Sequence, residues 1–330
     1  MPVNTAALRD YTDIWYGTIM ETVTGLVNAN GVKFSRVYLK FGTENTYFYV
    51  PEVVRDGKKI TYVQWSHGFT GTYKDLESDY ARATKFLSLA MDRGWVISVG
   101  DDTGSSHWST PPAIKAHRSH YAYAAERWNV QDVILAGGSM GGLTTLNLLG
   151  NDVIPKVRAA AVIVSVVDLA AMTTTGYTEY IYPAWGVSSV PELIEKSAGL
   201  DPARDDPQKW ANKPIWINAG TADTLVPKVQ HGDVFVGRAA TPSFIHYDVG
   251  GHTHGGPTTD VPWVEWLSTF APNYDATQNT PTDPGPPPPS DGGGGTAPPA
   301  APSGSGVYLV DGREASIYRV DGAIVRPGRP

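Results

Sequence analysis

The strongest chemical signal in the sequence is a serine inside a glycine-rich turn. Residues 137–141 read Gly-Gly-Ser-Met-Gly, with an apolar, β-rich run before them at 133–136 and a helical pattern after them at 143–149. A serine at a sharp strand-to-helix turn has a strained backbone that lifts its hydroxyl clear of the sheet, and small residues two positions away avoid clashes. The N-terminus of the following helix stabilises negative charge. The pattern therefore predicts a nucleophilic hydroxyl on Ser139.

Several other kinds of chemistry are excluded by composition or by missing motifs. No lysine follows the glycine-rich turn, so the spacing of a phosphate-binding P-loop is absent. The 330 residues carry a formal net charge of −7, which argues against nucleic acid as a partner. There are no cysteines, which excludes disulfides, thiolate catalysis and zinc–thiolate sites. We expect no cofactor and no metal ion, because no motif requires one.

The elements that hold this turn are expected to alternate between strands and helices. Short apolar, β-rich runs lie at 62–65, 95–99, 133–136, 159–167, 215–219 and 244–249, after a hairpin at 36–39 and 46–50. Helical periodicity is found at 76–93, 113–128, 143–149 and 226–236. Such alternation predicts an α/β fold with a doubly wound, mostly parallel sheet and helices on both of its faces.

One segment, residues 169–212, is longer than a crossover between two core strands requires. An insertion at this place would lie above the ends of the strands, where a lid or a substrate-binding cap belongs. The segment is rich in aromatic residues, and Tyr177, Tyr180 and Trp185 are its candidates for contact with a substrate.

The composition changes sharply near residue 275. We expect residues 1–275 to form the catalytic domain, residues 276–306 a solvated Pro/Gly-rich linker and residues 307–330 a short β-hairpin tail. The tail contains two alternating β segments that each end in Asp-Gly, a strong turn signal. Because two or three strands are too few to be stable alone, the tail is expected to self-associate or to dock into a larger assembly.

The strand, the Gly-x-Ser-x-Gly turn and the helix together resemble the nucleophile region of the α/β-hydrolase superfamily, and the resemblance covers about residues 30–272. It implies a serine hydrolase that forms an acyl-enzyme intermediate and has a catalytic triad in the chain order serine, acid, histidine. It also implies an oxyanion hole shared between two loops.

The resemblance supplies candidates for the acid and the base. Asp223 follows an apolar strand and precedes a hydrophobic-Val-Pro entry into a helix, as the acid does in the family; Asp168, at the end of the preceding strand, is the alternative. His252 is a glycine-flanked histidine after the last core strand and matches the position of the base. His254 is the alternative base, and a metal pair formed by the two histidines is disfavoured because no cysteine or carboxylate is arranged around them.

The oxyanion hole is assigned by the same resemblance. A predicted strand is followed by His67 and Gly68, and the family's first donor is the backbone N–H of the next residue, here Phe69. The second donor is the N–H of Met140, immediately after the nucleophile. His67 itself is expected to have a structural role.

Two further polar clusters are assigned to less specific places. Residues 101–108 follow a core strand and contain an acidic pair and a histidine, so we expect them at the rim of the pocket or in a solvated turn. His117, Arg118 and His120 are expected on the surface of a helix.

The chemistry of such a triad fits esters, thioesters and peptide bonds. We favour hydrolysis of carboxylic esters, and the aromatic residues of the insertion favour an apolar acyl or aryl group. A prolyl-oligopeptidase-like peptidase is one alternative. A virion structural or receptor-binding protein that kept the fold without the activity is another, although none of Ser139, Asp223 and His252 has been lost.

Features outside the catalytic region bear on the location of the protein. No apolar run is long enough to cross a bilayer, and the N-terminus lacks the basic and apolar regions of a secretory signal. The linker and β tail resemble the layout of tail-associated hydrolases of phages that infect actinobacteria. That resemblance implies a virion location and a depolymerase acting on the bacterial cell envelope or another polymer; an ordinary esterase of the cytoplasm is the alternative.

Overall fold

The computed structural model describes residues 3–78, 85–240 and 243–271, and beyond them the backbone of short strands. The main sheet contains β1 (Gly17–Val27), β2 (Lys33–Phe41), β3 (Glu44–Pro51), β4 (Lys59–Ser66), β5 (Val96–Gly100), β6 (Asn129–Gly138), β7 (Val157–Ile163), β8 (Pro214–Gly220) and β9 (Phe244–Gly250). Their order is β1-β2-β3-β5-β4-β6-β7-β8-β9. Strands β4 to β9 are parallel to one another, whereas β1, β2 and β3 pair antiparallel. The mostly parallel sheet predicted from the sequence is confirmed.

Helices cover both faces of this sheet. They are α1 (Phe86–Asp92), α2 (Pro111–Arg127), α3 (Met140–Gly150), α4 (Leu169–Met172), α5 (Thr178–Trp185), α6 (Val190–Ser197), α7 (Gly232–Arg238) and α8 (Val261–Ser268). Short 3₁₀ turns lie at Ala7–Arg9, Asp75–Glu77, Thr173–Thr175, Pro207–Trp210 and Lys228–Gln230. One hydrophobic core contains residues of α2, α3 and α7, and the other contains residues of α1 and α8.

Strand β6 shows why the central strands read as continuous apolar runs. Val133 and Leu135 belong to the first core, while Ile134 and Ala136 belong to the second. Successive side chains of a strand point to opposite faces, so a strand covered on both faces has no exposed position left for a polar residue.

Three elements differ from the sequence prediction. β1 was not predicted, because most of its side chains are exposed and two register shifts interrupt its pairing with β2. The predicted strand at 159–167 ends before Val164, which has a positive φ of 45°. The predicted helix at 226–236 is divided into a 3₁₀ turn and the separate helix α7, which begins at Gly232.

The segment predicted as an insertion, residues 169–212, folds as α4, α5 and α6 with 3₁₀ turns. Its Ile181, Trp185 and Leu193 are buried in the same core as α2 and α3. The segment is therefore packed onto the domain, and its role as a lid stays a prediction.

The proposed linker and tail lie mostly outside the described residues, as does part of the predicted helix at 76–93. Short strands are described at Tyr274–Asp275, Thr280–Pro281, Tyr308–Asp311, Ala315–Val320 and Ala323–Val325. The division into a catalytic domain, a linker and an anchoring tail stays a prediction. Among the helices that the structure describes, none has the length and apolar character needed to span a membrane.

The turn between β6 and α3 carries Ser139 and depends on close backbone contacts. Ser139 has φ 52° and ψ −119°, a conformation that L residues rarely adopt. A Cβ atom on Gly141 would lie 2.0 Å from the carbonyl oxygen of Ser66, and one on Gly137 would lie 2.6 Å from the carbonyl oxygen of Gly141. Both glycines are required because the helix begins directly against the end of β4.

These contacts predict the effect of a single methyl group. Gly141→Ala should lower the free energy of unfolding by at least about 2 kcal/mol, since the backbone must shift to admit the Cβ atom. Gly237→Ala in α7 is the matched control, because a Cβ atom there meets nothing within 4 Å. Alanine in a helix interior is more stable than glycine by roughly 0.5–1 kcal/mol. Urea unfolding of both variants measures the difference, and equal stabilities would contradict the close contact.

Candidate active site

The turn between β6 and α3, called the elbow below, carries Ser139. Backbone hydrogen bonds join it to the end of the neighbouring strand β7 and to the residues that follow that strand. The Ser139 amide donates to the carbonyl oxygen of Ile163 at 2.9 Å, and the Val166 amide donates to the Ser139 carbonyl oxygen at 3.0 Å. Between Ile163 and Val166, Val164 has a positive φ, which is rare for a β-branched residue. Two strained positions therefore lie side by side. Hydrogen bonds to Ile163 and Val166 fix Ser139, and the Val164 amide donates to the Asn218 carbonyl oxygen of β8 at 3.0 Å.

The imidazole of His254 connects Ser139 to Asp223. Nε2 of His254 lies 3.0 Å from Oγ of Ser139, and Nδ1 lies 2.9 Å from Oδ2 of Asp223. Because a carboxylate can only accept, Nδ1 carries the proton, and Nε2 is left free to accept the hydroxyl proton of Ser139. This arrangement has the geometry of a nucleophile, a general base and an orienting acid.

Asp223 is held as a carboxylate by its surroundings. Its Oδ1 accepts hydrogen bonds from the amides of Leu225 and Val226, both at 2.9 Å. Burial raises the pKa of Asp223, but the hydrogen bonds from His254 and from these amides outweigh burial and leave the pKa below its ordinary value. The acid therefore stays ionised and can stabilise a positively charged His254.

His252, the histidine chosen as the base from the sequence, does not reach Ser139. Its Nδ1 faces the carbonyl oxygen of Thr253 at 3.0 Å. The ring fills space that glycines leave open, since a Cβ atom on Gly250 would lie 2.7 Å from its Cδ2 and one on Gly220 would lie 2.7 Å from its Nδ1. The alternative base, His254, is the one that the structure brings to the nucleophile.

Asp168, the alternative acid, is engaged elsewhere. Its Oδ1 accepts from the Ala171 amide at 2.9 Å and so caps the N-terminus of α4. Both of its carboxylate oxygens also accept from Arg204, at 2.7 and 3.1 Å. These partners are structural, and none of them is a histidine side chain.

The two amides predicted for the oxyanion hole belong to chain segments next to Ser139. A Cβ atom built on Gly68 would lie 3.6 Å from the Cβ of Ser139, so the peptide group that leads to Phe69 passes beside the serine. The Phe69 N–H has no acceptor among the described residues. The Met140 N–H belongs to the first turn of α3, where amides have no partner within the helix.

The three aromatic residues predicted to bind substrate occupy different environments. The rings of Tyr177 and Tyr180 pack against Phe69 at 5.3 and 4.7 Å between centroids, and Tyr180 is 40% exposed. Trp185 is only 3% exposed, and its Nε1 donates to the carbonyl oxygen of Trp108 at 3.2 Å. Trp185 therefore supports the aromatic cluster from inside, and only the two tyrosines are placed at the surface beside Phe69.

A pocket of about 260 Å³ opens next to Ser139 and His254. Its apolar lining is formed by Trp65, Leu76, Phe86, Ile163 and Val164. None of these residues was predicted as a site residue. In a sequence, apolar positions that line a pocket have the same signal as apolar positions in the core.

Two carboxyl groups also line this pocket. Asp75 accepts a hydrogen bond from the indole of Trp65 at 2.7 Å, and Asp260 accepts one from the indole of Trp263 at 2.9 Å. Burial raises the pKa of Asp75 above its ordinary value, although the Trp65 hydrogen bond opposes the rise.

Residues expected at the surface instead form a buried polar cluster beside residues 67–71, the segment after β4 that contains Phe69 and is called the oxyanion loop below. Asp102, His107, His117, Arg118 and His120 are each at most 3% exposed. The expected helix-surface position of the last three is wrong, because α2 packs this face against the sheet. Asp102 and His107, expected at the pocket rim or in a solvated turn, lie in the same interior.

Hydrogen bonds and ion pairs engage only part of this cluster, since Nδ1 of His117 and Nδ1 of His120 are buried without a hydrogen-bond partner among the described residues. Two sets of side chains have ligand atoms within 4.8 Å of one another: His67, Asp102 and His107, and Asp102, His117 and His120. Both ring nitrogens of His67, however, face carbonyl oxygens. Nε2 of His117 lies 3.0 Å from Asp102, and Nε2 of His120 lies 2.9 Å from the Thr46 hydroxyl.

Comparison with known proteins agrees with this fold. The family described as the prolyl oligopeptidase family matches residues 85–237. An acetyl xylan esterase from Paenibacillus sp. R4 superimposes with a TM-score of 0.54 at 11% identity, covering 80% of this chain and 90% of that chain. Acetyl xylan esterase 1 from Thermoanaerobacterium sp. JW/SL YS485 does so with a TM-score of 0.51 at 11% identity, covering 82% and 93%.

A prolyl endopeptidase structure has a TM-score of 0.50 at 16% identity and covers 80% of this chain. This chain spans only 38% of that protein's length. No curated protein sequence matches the chain significantly. The fold is that of the α/β-hydrolases. Over residues 85–237, the chain is similar in sequence to the prolyl oligopeptidase family.

The positions of the two histidines predict how Ser139 reacts with a fluorophosphonate probe. His254→Ala should slow labelling by about 10²–10⁴-fold, because the general base is removed. His252→Ala is the matched control and should retain most of the labelling rate. Rates of labelling at pH 7.5 measure both effects. A large loss in the His252 variant with little loss in the His254 variant would refute the geometric assignment.

Proposed function

We propose that the protein hydrolyses carboxylic esters through a covalent acyl-enzyme intermediate on Ser139. The observation that carries the proposal is the continuous hydrogen-bonded chain from Ser139 through His254 to Asp223 at the mouth of an apolar pocket. The superposition on acetyl xylan esterases over most of their length supports the ester class.

The reaction follows from the directions of these groups. As Oγ of Ser139 attacks the ester carbonyl carbon, its proton passes to Nε2 of His254, and the carbonyl oxygen becomes an oxyanion. In this proposal, the N–H groups of Phe69 and Met140 donate hydrogen bonds to that oxyanion. His254 then gives the proton to the leaving alcohol. A water molecule, deprotonated by the same nitrogen, hydrolyses the acyl-enzyme and regenerates Ser139.

The pocket supports an uncharged, apolar acyl group as the preferred substrate. Five apolar side chains form much of its wall, and contact with them removes apolar surface of the substrate from water. Asp75 and Asp260 in the same lining disfavour a second carboxylate on the acyl chain. Tyr177 and Tyr180 are absent from this lining, so we assign them to the remaining part of the substrate.

A peptidase is the second candidate, because the matching family is described by prolyl oligopeptidases. The virion location, the polymeric cell-envelope substrate and the alternative of a non-catalytic virion protein stay predictions from the sequence. The catalytic groups are all present and in contact, which favours an active enzyme over the non-catalytic alternative.

The ester-hydrolase proposal predicts cleavage of p-nitrophenyl esters by the intact protein. Activity and fluorophosphonate labelling should both disappear in Ser139→Ala, which lacks the nucleophile. Proline p-nitroanilide peptides, assayed in parallel, measure the second candidate. Faster cleavage of the peptides than of every ester would replace the esterase assignment with a peptidase, and absence of both activities and of labelling would refute a serine hydrolase.

The pocket predicts which acyl chains are preferred. Leu76→Ala enlarges the pocket and should shift the ratio of kcat/KM values for a series of p-nitrophenyl esters toward longer acyl chains. Leu267→Ala is the matched control, since Leu267 is equally buried in the same core but does not line the pocket. Each change should cost about 2–5 kcal/mol of stability. A ratio is independent of the folded fraction, so an unchanged ratio in the Leu76 variant would place the acyl group elsewhere.

A further inference from the structure

His67 lies beneath the oxyanion loop with both ring nitrogens directed at carbonyl oxygens. Nδ1 is 2.7 Å from the oxygen of Gly68, and Nε2 is 3.0 Å from the oxygen of Asp101. A carbonyl oxygen can only accept a hydrogen bond, and a neutral imidazole has only one N–H. In a neutral His67, the unprotonated ring nitrogen would direct its lone pair at a carbonyl oxygen, and the two atoms would repel each other. The site is fully buried, so water cannot relieve this repulsion.

The surroundings of His67 supply the countercharge that a doubly protonated ring needs. Asp102 is fully buried beside it. Burial raises the pKa of Asp102, but the histidines around it, above all His117, hold this pKa well below its usual range. Burial likewise lowers the pKa of His67, yet Asp102 and the two carbonyl acceptors raise it more, so the net pKa lies above its ordinary value.

Three further titratable groups of the cluster, His107, His120 and Glu44, are neutral near pH 7, while His117 also contacts the Asp102 carboxylate, with its Nε2 3.0 Å from Oδ2. Burial lowers the pKa of His107, whose ring packs edge-on against His67, and that of His120 to about 3. Burial and the nearby Asp102 raise the pKa of Glu44 to about 8. Asp75, beyond the loop, adds a weaker favourable interaction with His67. The Asp102 carboxylate is therefore the main charge available to balance His67.

The geometry of the peptide group connects His67 to the reaction. The carbonyl of Gly68 and the N–H of Phe69 belong to one planar unit and point in opposite directions in a trans peptide. Fixing the carbonyl oxygen therefore fixes the direction of the N–H. The Gly68 oxygen accepts a second hydrogen bond from the Gly71 amide at 2.9 Å, and the Thr70 amide donates to Ser105 at 2.9 Å.

We propose that His67 is doubly protonated in the folded protein and, with Asp102 as its buried counter-ion, fixes the direction in which the Phe69 N–H points at the oxyanion. His67 is thus a positioning residue that acts through the Gly68–Phe69 peptide, and this role rests on the ester-hydrolase function proposed above. The carbonyl of Asp101 is the second anchor, which joins the oxyanion loop to the loop that follows β5.

The protonation state can be measured without any enzymatic activity. In protein labelled with ¹⁵N-histidine, two-bond ¹H–¹⁵N NMR spectra at pH 7 should show a signal of His67 with both ring nitrogens protonated. That signal should be absent from the spectrum of His67→Gln and present in that of His246→Gln, a remote histidine that stacks on Trp216. A His67 signal with one protonated and one bare nitrogen would overturn the proposal.

Kinetics test the positioning role separately. Asp102→Asn removes the countercharge and should lower kcat by about 10–100-fold with little change in KM, because only the oxyanion contact is disturbed. His67 is charged below its raised pKa, so kcat should fall as pH rises through that value, and this alkaline limb should move to lower pH in the variant. His246→Gln should leave the limb in place.

An alkaline limb that does not move in Asp102→Asn would overturn the positioning role of His67. A wild-type protein that is inactive toward both the esters and the fluorophosphonate probe would instead refute the proposed enzymatic function and leave the NMR result valid.

Discussion

The strained backbone of Ser139 is the constraint on which the rest of the site depends. Its conformation has to be held by neighbours, since an L residue left to itself would avoid it. The neighbours are the end of β7, which exchanges two backbone hydrogen bonds with it, and the end of β4, against which Gly141 packs without room for a methyl group. Both strands reach the elbow only because the sheet is parallel and their carboxyl ends meet at the same edge.

The same edge concentrates the other groups of the proposed catalytic site. Asp223 follows β8, and His254 follows β9, so the acid and the base arrive from the two strands beyond β7. The oxyanion loop follows β4 on the other side of the elbow. Each loop is short and is tied by backbone hydrogen bonds, which places the hydrogen-bonding groups within about 3 Å of their partners with little freedom left.

Beneath this edge, the interior is unusually polar. Asp102, His67, His107, His117 and His120 are buried together between α2 and the sheet. Such a cluster is expensive unless its charges balance and its hydrogen bonds are made. Here its position directly under the oxyanion loop connects that electrostatic balance to the placement of one backbone N–H.

The alternation of apolar strands and helices sufficed to predict the sheet, because strands covered on both faces must be apolar throughout. The Gly-x-Ser-x-Gly pattern sufficed to predict that Ser139 lies in a sharp strand-to-helix turn, since close packing at the elbow admits only small residues. Strand β1 escaped prediction because its side chains are largely exposed and its pairing is irregular. The residues that line the pocket were not predicted, because the sequence of an apolar position does not show whether it faces the core or a cavity.

By itself, the sequence determined the fold class, and it predicted the proposed nucleophile and the loop of the proposed acid, each of which depends on local patterns of size and polarity. Only the tertiary structure decided between His252 and His254. Both follow β9 within a glycine-rich loop, and a shift of two residues there changes neither composition nor pattern. The choice depends on which ring meets Ser139 and which fills the space above Gly220 and Gly250, and only the packing of three loops from different strands determines that.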